Sequence, residues 1–116
     1  MEYAVSREGT TLVTLHEGTD TTACDAATDD LAGRLESLDG GGELADWSIA
    51  DAEVYEHPAA PFDPYTIAVG FSVTVTVDAD DTDAAEATGA NAIEDALERA
   101  DVDAVSYSAE PVASPA

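Results

Sequence analysis

The sequence predicts an α+β fold, in which an antiparallel sheet carries two helices on one face. The segment 65–77 alternates apolar residues with small or hydroxyl residues, which is the period of a half-buried strand. Two further segments carry apolar residues at the spacings of three and four that mark one face of a helix. The order of strand, helix and strand recurs in both halves of the chain. With 116 residues, we expect a single domain over residues 1–110.

Ahead of the first half, two short runs at 3–7 and 11–15 flank Glu8 and Gly9. Because glycine readily adopts positive φ, this pattern predicts an N-terminal β-hairpin. Thr22 and Asp25 fit a capping box at the start of the first helix, and the glycines from Gly40 onward end it. The apolar stripe of that helix is Ala23, Ala27, Leu31, Leu35 and Leu38.

The second half places an acidic turn between strand 65–77 and the next helix. An EF-hand counted from Asp78 would need Gly at the sixth position and Glu at the twelfth, where this chain has Asp83 and Gly89. Asp83 and Glu86 instead fit a capping box. We therefore interpret the acids of this turn, Asp78, Asp80, Asp81 and Asp83, as a helix start and expect no metal or cofactor. The apolar stripe that follows is Ala85, Gly89, Ala92, Ile93, Ala96, Leu97 and Ala100.

The two halves, at about 11–57 and 65–110, align at a constant offset of 62 positions: Leu31 matches Ile93, and Leu35 matches Leu97. The proline-rich segment 56–65 is expected to join them, a last strand is expected at 102–109, and 111–116 is expected to be a flexible tail. Two strand–helix–strand units in tandem resemble the ferredoxin-like sandwich. The hairpin would then extend that sheet or cover its open face, and the sequence leaves both arrangements open.

The charge of the chain indicates the ionic strength of the solvent in which it folds. Its formal charge is −23, from 26 acids against three arginines, and it has no lysine, yet 45% of its residues are hydrophobic. Such charge opposes compaction at low ionic strength, whereas molar salt reduces the screening length to about 3 Å. This composition resembles proteins of extremely halophilic archaea or their viruses. The resemblance, with no apparent signal peptide and no long apolar run, implies the cytoplasm of such a cell or the virion.

No residue pattern points to catalysis, so we do not expect an enzyme. His16 and His57 are the two histidines, and in so acidic a chain a neighbouring carboxylate carries little information. Cys24 is a lone cysteine that we expect to be a small buried thiol. The chain also lacks the basic footprint that nucleic-acid binding requires, and we expect neither nucleic acid nor a membrane as a partner.

The most informative feature is an absence of charge. Segment 65–77 contains no charged residue, although a strand face open to solvent in this chain should carry acids, as Asp51 and Glu53 do on the preceding strand. We predict that this face is covered by a second copy of the chain, another protein or the hairpin. Alternatively, threonine is there as a good strand former. The predicted contact residues are Thr66, Ala68, Gly70, Ser72, Thr74 and Thr76, joined by Tyr55 and Phe62.

The aromatic pair has its own alternative, in which Tyr55 and Phe62 belong to the edge of the core. The function expected from these features is a non-enzymatic interaction or assembly module, either a homo-oligomer or a module that docks on another protein. The alternative is a small-ligand-binding regulatory domain, which the resemblance to ferredoxin-like dimers implies.

Overall fold

The computed structural model describes residues 1–16, 19–42, 44–56, 60, 63–102 and 105–116. It is an α+β fold with an antiparallel five-stranded sheet and two helices, which confirms the predicted class. The elements in chain order are β1 (Glu2–Leu15), α1 (Asp20–Gly40), β2 (Asp46–Glu56), β3 (Tyr65–Asp78), α2 (Thr82–Arg99), β4 (Ser106–Tyr107) and β5 (Val112–Pro115).

The centre of the sheet is the long pairing of β1 with β3. The strand order is β2-β3-β1-β4, and β5 also pairs with β1. The register runs without interruption from Glu2 opposite Asp78 to Leu15 opposite Tyr65. It pairs even-numbered with even-numbered residues, and side chains alternate along a strand, so the even-numbered side chains of both strands share one side of the sheet.

The odd-numbered residues of β3 belong to the core. Ile67, Val69 and Val73 have no exposed surface, and they form one cluster with the apolar stripes of both helices. The stripe predicted for α1 is buried in full. In α2 the buried positions are Ala85, Gly89, Ile93, Ala96 and Leu97, whereas Ala92 and Ala100 are partly buried. The spacing of apolar residues therefore identified the buried faces of both helices.

Both helices begin earlier than predicted. Thr19 is the N-cap of α1, where its hydroxyl accepts from Thr22 N at 3.2 Å and Thr22 closes the capping box. Asp81 is the N-cap of α2, and its Oδ1 accepts from Ala84 N at 2.7 Å. Thr19 and Asp81 have the extended φ of −141° and −150° that an N-cap needs, so Thr22 and Asp83 lie inside the first turns.

The predicted N-terminal hairpin is wrong, because residues 2–15 form one continuous strand. Gly9 lies opposite Phe71 in the register, and a Cβ on Gly9 would be 3.2 Å from Phe71 Cζ. The glycine therefore makes room for the Phe71 ring in the core, a known pairing of aromatic residues with strand glycines. Residues 2–15 therefore pair within the sheet and do not fold over its face.

The predicted flexible tail at 111–116 is also wrong in this structure. Val112–Pro115 pairs with β1, with Ala113 opposite Val5, and Ala116 N donates to Glu2 O at 3.0 Å. Ala113 packs against the core, which holds the segment in place. The last strand, predicted at 102–109, is confined to Ser106–Tyr107, and residues 103 and 104 lie outside the described residues.

The Arg7 side chain connects β4 to α2 by contacting a residue of each. Its guanidinium carbon lies 3.8 Å from the centre of the Tyr107 ring, and its Nη1 lies 3.6 Å from Glu94 Oε1. Burial raises the pKa of the Tyr107 phenol above 10.0 and the charge of Glu94 raises it further, while Arg7 lowers it. The folded state therefore favours the protonated phenol.

Gly89 permits the close approach of α2 to β1. A Cβ at this position would lie 2.5 Å from side-chain atoms of Val5, which is fully buried. We expect Gly89→Ala to lower the free energy of unfolding by about 1–3 kcal/mol through overpacking. Gly33 of α1, where a Cβ would have nothing within 4 Å, is the matched control, and Gly33→Ala should raise stability by about 0.5–1 kcal/mol. Denaturant unfolding in about 3 M KCl measures both changes, and an equal gain from the two substitutions would refute this packing.

The Tyr107 phenol predicts a loss of stability in alkali. Below pH 10 the folded and unfolded states both hold the proton, and as the pH rises the unfolded chain releases it first because the folded pKa is raised. The melting temperature of wild type should therefore fall more steeply above pH 10 than that of Tyr107→Phe. Part of the fall should remain in the variant, since a hydrogen bond to Asp20 raises the pKa of Tyr65 as well. Identical pH profiles would contradict this expectation.

Candidate functional site

A nearly uncharged surface covers the even-numbered residues 4–14 of β1 and 66–76 of β3, and the acidic pair of Glu2 and Asp78 lies beyond one end of it. We call this surface the neutral face. Its β3 members are the predicted Thr66, Ala68, Gly70, Ser72, Thr74 and Thr76, and their register partners on β1 are Thr14, Leu12, Thr10, Glu8, Ser6 and Ala4. Glu8 is the charged member of this set. The sequence prediction found the β3 half and missed the β1 half, because the expected hairpin divided β1 at Glu8 and Gly9.

The neutral face is open where the opposite side of the sheet is packed. Thr76 is exposed and the other β3 members are partly buried, whereas every odd-numbered residue from Ile67 to Val77 is buried. The hydroxyl oxygens of Ser6 and Thr74 lie 2.7 Å apart across the strands. This pair of hydroxyl groups is thus satisfied within the sheet, and Glu8 is the one charged side chain among the members of the face.

The neutral surface continues onto β4 and β5. Ser106 lies opposite Thr10, Ser114 lies opposite Ala4, and Val112 lies opposite Ser6. Val112 is 61% exposed, which is unusual for a large aliphatic side chain on a described strand of this chain. Neither β4 nor β5 contains a charged residue. The uncharged area is therefore about three strands wide, with an aliphatic group near one border.

The other border of the neutral face is acidic. The outer strand β2 has exposed acids along its length, and in the register they lie beside β3: Asp46 beside Thr74, Asp51 beside Gly70, Glu53 beside Ala68 and Glu56 beside Thr66. The Asp51 carboxylate lies close to Gly70. Its Oδ1 is 2.7 Å from the position that a Cβ at residue 70 would occupy. Charge is thus concentrated on one edge of this side of the sheet.

Of the two aromatic residues predicted to join the contact, Tyr55 lies on the neighbouring strand β2 and Phe62 is not described. Tyr55 is 62% exposed and occupies an irregularity in the pairing of β2 with β3, between Val54 and Glu56. The core-edge interpretation of Tyr55 therefore does not fit, although Trp47 and Tyr65 do pack against the core. Phe62 lies outside the described residues.

The residues considered for catalysis or metal binding are not brought together. His16 is exposed at the end of β1, His57 lies outside the described residues, and Cys24 is partly buried against the core. Asp78 lies 3.5 Å from the N-terminal ammonium group, and Asp81 caps α2. Within the described ranges, no three His, Cys, Asp or Glu residues are placed to hold a metal ion.

A cleft of about 360 Å³ lies between the end of β1 and the helices. Arg34 lines it, but the chain already engages that side chain. Arg34 Nη1 donates to Ala100 O at 2.8 Å, and Nε donates to Asp30 Oδ2 at 3.0 Å. Arg34 thus ties α1 to the end of α2, which leaves little of the guanidinium for an anionic ligand.

No protein-family model, curated protein or solved structure matches this chain. Within the part of the chain that the structure describes, neither helix has the length and apolar character needed to cross a membrane. The case for a function therefore depends on the geometry and charge of the molecule alone.

Proposed function

We propose that this chain is a non-enzymatic assembly module of an extremely halophilic archaeon or its virus. It contacts a second copy of itself or another protein through the neutral face. The observation that carries this proposal is the near absence of charge from the neutral face, where Glu8 is the one charged residue among twelve, in a protein with a formal charge of −23. The proposed location is the cytoplasm of the archaeon, or the virion if the protein is viral.

The distribution of acids over the sheet supports a contact surface. On the same side of the sheet, β2 carries Asp46, Asp51, Glu53 and Glu56, so this side of the sheet tolerates acids. Threonine as a mere strand former explains the choice of residue on β3, but it does not explain why Glu8 is the one charged residue among the β1 members of the neutral face or why β5 has none. Burying a charge against a partner is costly unless it is paired, so a surface that loses water in a complex should be uncharged.

Concentrated salt supplies the second condition for assembly. Two copies that each carry a charge of about −23 repel each other at low ionic strength. At molar salt the screening length of about 3 Å confines this repulsion to groups in near contact. Two anionic proteins can then come into contact through the neutral face, because no charges lie close together there.

The order of elements supports a ferredoxin-like arrangement for the domain. Strand, helix, strand, strand, helix and strand follow each other along the chain. Gly89 of α2 approaches Val5, and the stripes of both helices join the odd-numbered residues of β3 in one cluster. These contacts support an arrangement in which both helices cover the odd-numbered side and leave the neutral face open.

The alternative function is a small-ligand-binding regulatory domain, and the cleft beside Arg34 is the observation that favours it. A ligand that binds only the folded state raises the melting temperature. A thermal-shift screen with nucleotides and amino acids in about 3 M KCl tests this alternative. A shift that the exposed cleft-lining substitution Asp30→Ala abolishes, while Thr76→Glu retains it, would favour the ligand.

A charge on the neutral face should break the assembly. We expect wild type to have at least twice the monomer mass by light scattering in about 3 M KCl. Thr74→Glu should weaken association at least tenfold, because an unpaired carboxylate in an interface costs more than about 1.4 kcal/mol. Thr76→Glu places the same charge at an exposed position of the face, so the fold should tolerate it.

The matched control is Thr88→Glu, which adds the same charge to an exposed position of α2. It should leave the mass unchanged, and circular dichroism and unfolding curves should show that all three variants are folded. A monomeric wild type that gains no mass in an extract of haloarchaeal cells would refute the proposal. Equal weakening by Thr76→Glu and Thr88→Glu would refute the assignment of the contact to this face.

A further inference from the structure

We infer that the neutral face binds a second copy of this chain, packed face to face around a two-fold axis that runs parallel to β1 and β3. The inference rests on the proposed function and deepens it by naming the partner and the symmetry of the contact. Four observations support it: the sign of the charge, the chemistry of the face, its area, and the position of the acids around it.

The absence of charge favours a partner that is itself anionic. A basic partner would be recognised by acids, which this chain has in excess, and its docking surface would keep them. A second copy carries the same negative charge, so a surface that meets its own copy must leave acids out. The neutral face therefore fits self-association better than it fits a cationic protein.

Hydroxyl groups suit a contact between identical surfaces. In a two-fold interface the same patch occurs on both sides and must be complementary to itself. A carboxylate only accepts hydrogen bonds, whereas a hydroxyl group both donates and accepts. Ser6 and Thr74 already make such a bond at 2.7 Å within one sheet, and Ser72, Thr10 and Thr66 offer the same chemistry to a facing sheet.

The face is large enough for a stable dimer. β1 and β3 each have 14 residues and are therefore about 46 Å long at 3.3 Å per residue. The five strands together have 45 residues, so at a spacing of about 4.8 Å this side of the sheet measures about 700 Å², with the acidic strand β2 at its rim included. A standard interface buries about 800 Å² on each partner. The area is thus close to what a specific dimer needs.

The acidic edge selects the direction of the two-fold axis. An axis in the interface and perpendicular to the strands would stack β2 on its own copy, so that Asp46, Asp51, Glu53 and Glu56 would meet the same acids. An axis parallel to the strands exchanges the edges of the sheet. Each acidic β2 then faces the uncharged β4 and β5 of the other copy, at the rim of the interface where water solvates the carboxylates.

Glu8 places the axis between β3 and β1. An axis along β1 would oppose Glu8 to its own copy. An axis midway between the two strands places Glu8 over Ser72 of the second copy, because Glu8 and Ser72 are register partners. The Ser72 hydroxyl can donate to a carboxylate there. Glu8 is then the acidic residue in the centre of the interface that affects the dissociation constant of the dimer.

Cross-linking of single cysteines distinguishes the two symmetries. Ser6→Cys and Leu12→Cys lie six residues apart on β1, about 20 Å, in a Cys24→Ala background. With a bis-maleimide about 10 Å long, the spacing of two packed sheets, each variant should cross-link to itself. A mixture of the two variants, one of them tagged, should give no Ser6-to-Leu12 product. All reactions are run in about 3 M KCl, where repulsion is screened.

Each outcome separates this inference from the proposed function. Links between Ser6 and Leu12 in the mixture, without links between like positions, would refute the parallel axis and leave assembly through the face intact. No links in a protein of dimer mass would refute the second copy on this face. A monomeric wild type that binds another haloarchaeal protein, and loses it on Thr76→Glu, would refute self-association but support the proposed function.

Substitution of the central acid gives an independent readout. Glu8→Gln should tighten the dimer at least threefold, since it removes two carboxylates from the interface. Glu98→Gln, at an exposed position of α2, removes the same charge elsewhere and should leave the dissociation constant within twofold of wild type. A tightening by Glu98→Gln equal to that by Glu8→Gln would show that net charge, and not Glu8 in the interface, controls association.

Discussion

Mutual repulsion among carboxylates is the constraint on which the rest of this structure depends. A chain with 26 acids and three arginines folds only where acids remain in water and packed surfaces are free of charge. The core follows this rule, since Thr11 is its one buried polar residue among those described and no buried side-chain oxygen or nitrogen there lacks a partner. In each ion pair described, the acid is substantially exposed.

The rule that packed surfaces are free of charge allows the charge on the two sides of the sheet to be compared. The odd-numbered residues of β3 from Ile67 to Val77 are uncharged and buried in one cluster with the apolar stripes of both helices, and Gly89 allows α2 to approach Val5. The even-numbered residues of the neutral face are nearly as free of charge, although those of β3 are only partly buried or, at Thr76, exposed. Acidic residues are found on β2, the strand that borders the neutral face on the same side of the sheet. This boundary between uncharged and acidic residues is the basis on which we propose a contact surface.

The sequence predicted the features that depend on the local spacing of apolar residues. It did not predict the features that depend on which strands pair. The helical stripes and the alternation of β3 are local patterns, so Leu31, Leu35 and Ile93 were placed in the core correctly. Gly9 resembled a turn because nothing in the sequence indicates that Phe71 lies opposite it. β5 was taken for a tail because its stability comes from pairing with β1, a contact distant in sequence. The β1 half of the neutral face was missed for the same reason.

The most direct test of the central claim is whether water reaches the neutral face in the assembled protein. Ser72→Cys lies at the centre of the face and Ser37→Cys lies at an exposed position of α1, both in the Cys24→Ala background. The measured quantity is the rate of thiol modification as the protein concentration rises in about 3 M KCl. Our account predicts that the thiol at position 72 becomes at least tenfold slower to react while the one at position 37 does not change. Equal, concentration-independent rates at both positions would contradict it.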